Sequence, residues 1–188
     1  MAEHLLGIAG ACFSLPHALT RHVLCPRPFP HSIFDCNTIG VSIQGAGARG
    51  RIEGCDISRS GMINVSIRDG ASVDVTECRI HGGIWSSGAN VGIERGVDVC
   101  GENVLCKLER NEIFGHVGCG VYVGRGGDPL LVANTIRDHF RPGPVTGGLG
   151  ADFSGAGLYV LADSAGCATV RPDNVFLRNA LGDVVRRE

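Results

Sequence analysis

Side chains able to do chemistry gather in one stretch of this 188-residue chain, RDHFRPGPVTGGLGADFSGA at positions 137–156, which holds Asp138, His139, Arg141 and Asp152. A His set between a carboxylate and a guanidinium is a candidate base, and carboxylates nearby could protonate a leaving group or hold calcium against an acidic polysaccharide. Phe140 and Arg141 would give the same loop an apolar and a cationic contact. Trp85, the only tryptophan, could stack on a sugar ring or cover a core edge. No second cluster completes a catalytic constellation, since the remaining Asp and Glu are scattered and no two Asp are adjacent. A loop that contacts a partner is the leading expectation for 137–156.

Other motifs lose their chemistry on inspection. Gly124-Arg-Gly126-Gly127 follows an apolar run but leads into Asp128-Pro129 and a second apolar run rather than a helix, so a phosphate-cradling loop lacks its context. The seven His are dispersed with no H-x-x-x-H pair, and no C-x-x-C occurs among the nine Cys, so neither a metal nor a cofactor is expected. An odd number of Cys cannot all pair within the chain, which favours buried thiols and a cytoplasmic setting. A formal net charge of −2 gives no electrostatic reason for nucleic acid or an anionic membrane as partner.

The elements that must position these residues are strands. Gly is 29 of 188 residues, aromatics are 5%, and Val and Ile recur in short alternating runs. Six segments share a small polar residue followed two places later by Ile or Phe: Phe34-Asp-Cys-Asn37-Thr-Ile39, Ile52-Glu-Gly-Cys55-Asp-Ile57, Val75-Thr-Glu-Cys78-Arg-Ile80, Leu108-Glu-Arg-Asn111-Glu-Ile113, Leu131-Val-Ala-Asn134-Thr-Ile136 and Arg171-Pro-Asp-Asn174-Val-Phe176. A second type follows each: Gly40-Val-Ser-Ile43, Asn64-Val-Ser-Ile67, Asn90-Val-Gly-Ile93, Gly120-Val-Tyr-Val123, Gly157-Leu-Tyr-Val160 and a degenerate Gly182-Asp-Val-Val185. Ten residues separate Cys55 from Val65, Asn111 from Val121 and Asn174 from Val184. Two strand types alternating at about 23 residues cannot be a helical repeat; they gain a core only when successive turns of the chain stack.

The N-x-I turns, the G-V-x-V strands and their spacing resemble the right-handed parallel β-helix repeats of the pectate-lyase-like superfamily, especially those of periplasmic copper-processing proteins and of some F-box proteins. The resemblance implies an all-β solenoid of about six short turns over 31–188, with 1–30 as an N-terminal cap containing a helix near residues 4–12 and with 137–156 as an inserted loop. It implies a corner column of Asn37, Cys55, Cys78, Asn111, Asn134 and Asn174, the two Cys as stacked core thiols. Gly40, Gly120 and Gly157, with Asn64 and Asn90 replacing them in two coils, are expected at left-handed or bridging corners. The paired-Asp, Gly-His-Gly signature of the galacturonase-like enzymes is missing; Gly115-His116-Val117 is its nearest fragment. The leading expectation is therefore a non-catalytic recognition or scaffold module that binds a protein partner within a larger assembly. The alternative is a carbohydrate-active or sugar-binding protein, a polysaccharide lyase or glycoside hydrolase if an enzyme, that uses 137–156.

Overall fold

The computed structural model describes residues 39–82, 94–140, 153–161 and 168–187, together with the backbone of four short strands, Glu3–His4, Phe13–Leu15, Thr20–Leu24 and Ser32–Ile33. Every described element is a strand, and every strand pair is parallel. Three sheets run the length of the molecule. Sheet A stacks Glu3–His4, Thr20–Leu24, Arg49–Glu53, Ser72–Thr76, Val104–Glu109, Gly127–Val132 and Thr169–Val170. Sheet B stacks Phe13–Leu15, Ile39–Gln44, Ile63–Arg68, Arg95–Cys100, Cys119–Val123, Ala156–Leu161 and Gly182–Arg187. Sheet C stacks Ser32–Ile33, Asp56–Ser58, Arg79–His81, Glu112–Phe114, Thr135–Arg137 and Val175–Leu177. The chain visits B, A and C in turn and then begins the next coil: a parallel β-helix.

Three strands per coil replace the two expected from sequence. The N-x-I segments straddle a corner: Ile52 lies in sheet A and Ile57 in sheet C, with Cys55 at the bend between them. Thr20–Leu24 pairs residue for residue with Arg49–Glu53, so sheet A continues into the segment expected as a cap. Glu3–His4 is a strand, where a helix was expected to begin; residues 5–12 lie outside those described. The third coil also differs. Its sheet B strand is Gly96-Val97-Asp98-Val99, with Val97 paired to Val65 and Val121, whereas Asn90-Val-Gly-Ile93 lies outside the described residues.

In-register stacking turns period-2 alternation into columns. Val41, Val65, Val97, Val121 and Leu158 form one inward column, and Ile57, Ile80, Ile113 and Ile136 another, all essentially without exposure. Ile52, Val75, Leu108 and Leu131 supply the third side. Each such side chain contributes roughly 1.5–3 kcal/mol on burial, and five or so per coil hold a coil that could not fold alone.

The corner between sheets A and C is fastened by amides. Asn111 Oδ1 accepts from the Cys78 backbone N–H at 2.9 Å, Asn134 Oδ1 from Asn111 N–H at 3.0 Å, and Asn174 Oδ1 from Asn134 N–H at 2.9 Å. Asn111 Nδ2 and Asn134 Nδ2 also donate to the next amide oxygen along the column, at 3.0 and 2.9 Å. Each Nδ2 donates back to a sheet A carbonyl, Val75, Leu108 or Leu131, at 2.8–2.9 Å. These bonds hold Glu77, Arg110 and Ala133, the residues just before the corner, at φ of 52–53°. Cys78 fills its rung as a buried free thiol whose Sγ donates to the Thr76 carbonyl at 3.2 Å, and burial pushes that thiol up to about 12. Cys55 is disulfide-bonded with its partner outside the described residues, which corrects the expected stack of two free thiols. Asn37 also lies outside the described residues.

Gly40, Gly96, Gly120 and Gly157 lie within their sheet B strands as extended residues, not at the left-handed or bridging corners expected for Gly40, Gly120 and Gly157. They are small because a second column of side chains, at the corner between sheets C and B, occupies the space a Cβ would need. A Cβ on Gly40 would meet Ser60 Oγ at 2.6 Å, on Gly96 His116 Cε1 at 2.9 Å, on Gly120 His139 Nε2 at 2.4 Å and on Gly157 Asn179 Nδ2 at 2.8 Å. Asn64 replaces the glycine in one coil, and its own amide enters the column, accepting from Ser60 N–H at 3.1 Å and lying 3.0 Å from His116 Nε2.

Two substitutions test these devices by urea unfolding. Asn111→Ala strands the buried Cys78 N–H and Val75 carbonyl and should cost about 2–4 kcal/mol. Gly120→Ala drives a methyl into His139 and the Gly157 carbonyl and should cost about 1–3 kcal/mol or more. Gly47→Ala, with open space around it and only a φ of 82° to offend, should cost no more than about 1 kcal/mol.

Candidate functional site

Of the four residues singled out for catalysis, two, Asp138 and His139, are among the described residues. Arg141 and Asp152 lie outside the described residues, as does Trp85. Asp138 and His139 are not loop residues; they turn the corner directly after the sheet C strand Thr135–Arg137. Asp138 has φ 57° and its carboxylate accepts from Arg178 Nε at 2.5 Å, from Arg178 Nη2 at 2.9 Å and from Arg137 Nη1. Arg178 and then Arg137 hold that carboxyl well below the usual range, so it is a fixed anion and a poor base.

His139 is 1% exposed. Its Nδ1 accepts from the His116 backbone N–H at 3.2 Å, and its own N–H donates to Asn179 Oδ1 at 3.4 Å. The rings of His116 and His139 stack with centroids 5.2 Å apart. Burial drives the His139 imidazole down to about 4 and His116 well below its ordinary value. His139 therefore does for its corner what Asn134 does for the other: it supplies a neutral acceptor to the preceding coil. The signal lay in the sequence, since His116, His139 and Asn179 each stand five residues after Asn111, Asn134 and Asn174.

What the solenoid offers outward is clearest on sheet C. Outward side chains of four strands, with Asp138 and Arg178 at the corners just after theirs, join into one line of contacts across five coils. His81 Nε2 meets Asp56 Oδ1 at 2.8 Å, Arg79 bridges Asp56 at 3.5 Å and Glu112 at 3.3 Å, and Arg137 Nη2 donates to Glu112 at 2.6 Å. Arg137 and Arg178 then share Asp138. Phe114 lies in the middle, stacked on His81 at 4.8 Å with Arg137 over its ring at 4.4 Å and Arg79 at 5.6 Å. Guanidinium groups are outermost: the Arg178 and Arg79 side chains are 68% and 57% exposed, against 31% for Asp138 and 15% for Asp56. Phe140, Val175 and Leu177 add exposed apolar surface near the last two coils.

Sheet B presents a different outer face. Asp98, wholly buried although it points away from the core, accepts from Arg68 Nε at 3.0 Å and Arg95 Nη1 at 2.5 Å. Ser66 Oγ accepts from Arg68 at 3.0 Å, and the Arg95 guanidinium lies over Tyr122 at 3.6 Å and Phe153 at 4.9 Å. Tyr122 stacks on its register partner Tyr159 at 5.8 Å. Cys100 Sγ donates to Asp98 at 3.5 Å, and burial pushes that thiol up to about 12. Beside this cluster Glu94 is buried with Oε2 unpaired, and burial raises its carboxyl to about 7. No sequence motif announced Asp98 or Glu94. Among the described residues no three His, Cys, Asp or Glu are grouped to hold a metal ion, and no helix is long and apolar enough to cross a membrane.

The two carboxylates predict opposite outcomes. Asp98→Asn removes the buried anion that Arg95 and the partly exposed Arg68 share and should cost up to about 3 kcal/mol in denaturant unfolding. Asp138→Asn, at an exposed pair, should leave the midpoint little changed in physiological salt.

Residues 31–143, more than half of the chain, match the family described as right handed beta helix region. No curated protein and no solved structure matches the chain. The match spans four consecutive coils of the stack just described, with their amide corner and their inward Val and Ile columns, and the chain belongs to the right-handed β-helix region family.

Proposed function

We propose that this protein is a non-catalytic recognition or scaffold module that engages a protein partner through the outer face of sheet C, as part of a larger assembly. The observation that carries the reading is the unbroken line from Asp56 to Arg178, in which each ionic or aromatic group is positioned by groups on the neighbouring coils. Side chains ordered in this way lose little rotamer freedom when a partner docks, which lowers the cost of association. Outermost Arg79 and Arg178, with Phe114 between coils and Phe140 and Leu177 at one end, supply the arginine and aromatic types enriched at protein interfaces. Four of the described groups that could serve hydrolysis or proton abstraction are engaged by the fold: His139 in its corner, Asp138 and Glu112 between arginines, Asp98 beneath Arg68 and Arg95.

One observation favours the carbohydrate-active alternative. Glu94 is a buried carboxyl that titrates near 7, the range of a general acid, and it stands close in sequence to Arg95, whose guanidinium faces Tyr122.

Comparison of proteins retained by the immobilised wild-type chain and by the double variant Arg79→Glu, Arg178→Glu separates the two readings. A partner on sheet C should be retained at least tenfold less by the variant at a temperature where circular dichroism shows both chains folded. Retention that ignores the charge reversal, or depolymerisation of uronate polysaccharide by the wild type that Glu94→Gln abolishes, overturns the proposal.

A further inference from the structure

The corner between sheets C and B differs from the amide corner in its chemistry. An Asn side chain carries donor and acceptor at any ordinary pH, whereas a His can accept only while neutral. His139 Nδ1 accepts from His116 N–H at 3.2 Å, so the proton of its neutral ring sits on Nε2, which is buried without a partner. His116 Nε2 lies 3.0 Å from Asn64 Nδ2, a donor, so its proton sits on Nδ1, likewise buried and unpaired. A proton added to His139 Nδ1 or His116 Nε2 removes the acceptor and places a charge in a dry site beside a second ring 5.2 Å away.

Phe140 N–H donates to the His116 carbonyl at 3.1 Å and Ala180 N–H to the His139 carbonyl at 3.0 Å, so the backbone of two successive coils is tied to the His pair. The opposite corner is held by Asn111, Asn134 and Asn174, which do not titrate.

We propose that the His116–His139 pair makes this corner an acid-opened joint, at which the backbone around His116, Phe140 and Ala180 loosens as pH falls while the asparagine corner stays closed.

The groups facing the pair set the direction. His116 is faced by His139 and His81, and both oppose its protonation; His139 is faced by Asp138, which favours it, and by Arg137, which opposes it. Burial outweighs Asp138, so the folded His139 lies at about 4 against an ordinary 6.5. The open state then binds more protons than the closed one between those values, and the closed state loses ground as pH falls from 6.5 toward 4. Glu94 acts oppositely. Raised from 4.5 to about 7 by burial, it binds more protons when folded, so its contribution weakens as pH rises through that window and offsets part of the His slope.

Amide hydrogen exchange, expressed as protection relative to intrinsic rates, reads the joint directly. Between pH 6.5 and 4 the amides of His116, Phe140 and Ala180 should lose protection by a factor on the order of 100, while those of Cys78, Asn111 and Asn134 lose less than threefold. Glu94→Gln should steepen the loss. His139→Asn, which repeats the residue found at Asn179, should cut it at least fivefold, leaving the share set by His116. Equal loss at both corners in the wild type, or an undiminished slope in His139→Asn, overturns the proposal. The wild-type comparison decides the matter even if the variant does not fold.

Discussion

Parallel in-register stacking governs everything else in this molecule. Each residue meets its own equivalent about 4.8 Å along the axis, so a residue type is acceptable only if it tolerates a copy of itself, or a chosen complement, directly above and below. Aliphatic side chains satisfy this inside, where Val65, Val97 and Val121 lie one upon another. Amides satisfy it at the corner because each carries both a donor and an acceptor. Charges do not, and the outer face of sheet C solves the problem by alternation: Asp56, Arg79 and Glu112 occupy one register column in that order. Where the inward column must share a corner with a bulky polar side chain, the opposing strand residue shrinks to glycine.

This constraint explains what was legible beforehand. A column is a repeated spacing, so Asn111, Asn134 and Asn174 with their following Ile or Phe disclosed the fold, the family and the corner that fastens it. Insertions hide spacings. Between Ile80 and Val97 the sequence Asn90-Val-Gly-Ile93 matches the sheet B pattern, while the strand that pairs there, Gly96-Val97-Asp98-Val99, carries an acidic residue where its neighbours carry Ser66 and Tyr122. The glycines were read through backbone freedom alone, yet their reason lies in the neighbouring column, a contact that no single coil displays. The His corner was present as a constant offset of five residues but is chemically mixed, with Ser60, His116, His139 and Asn179 at equivalent places.

The candidate site was less legible than the fold for a related reason. Reactive residue types in an irregular loop suggested chemistry, whereas His139 and Asp138 belong to the regular coil and are consumed by it. Conversely, Asp98 reads as an outward, solvated residue by alternation and is wholly buried. Alternation reports which side of a strand a residue faces. It does not report what lies over that side.

The amide corner has one more implication. Because each asparagine is recognised by another asparagine and by backbone alone, a rung carries no information about which coil it belongs to. Asn111 and Asn134 are 23 residues apart and make interchangeable bonds. A duplicated or deleted stretch of that length would restore the ladder, the inward columns and the sheet edges in one step. The natural unit of variation for such a chain is the whole coil rather than the single residue, and its length is free to drift where its composition is not.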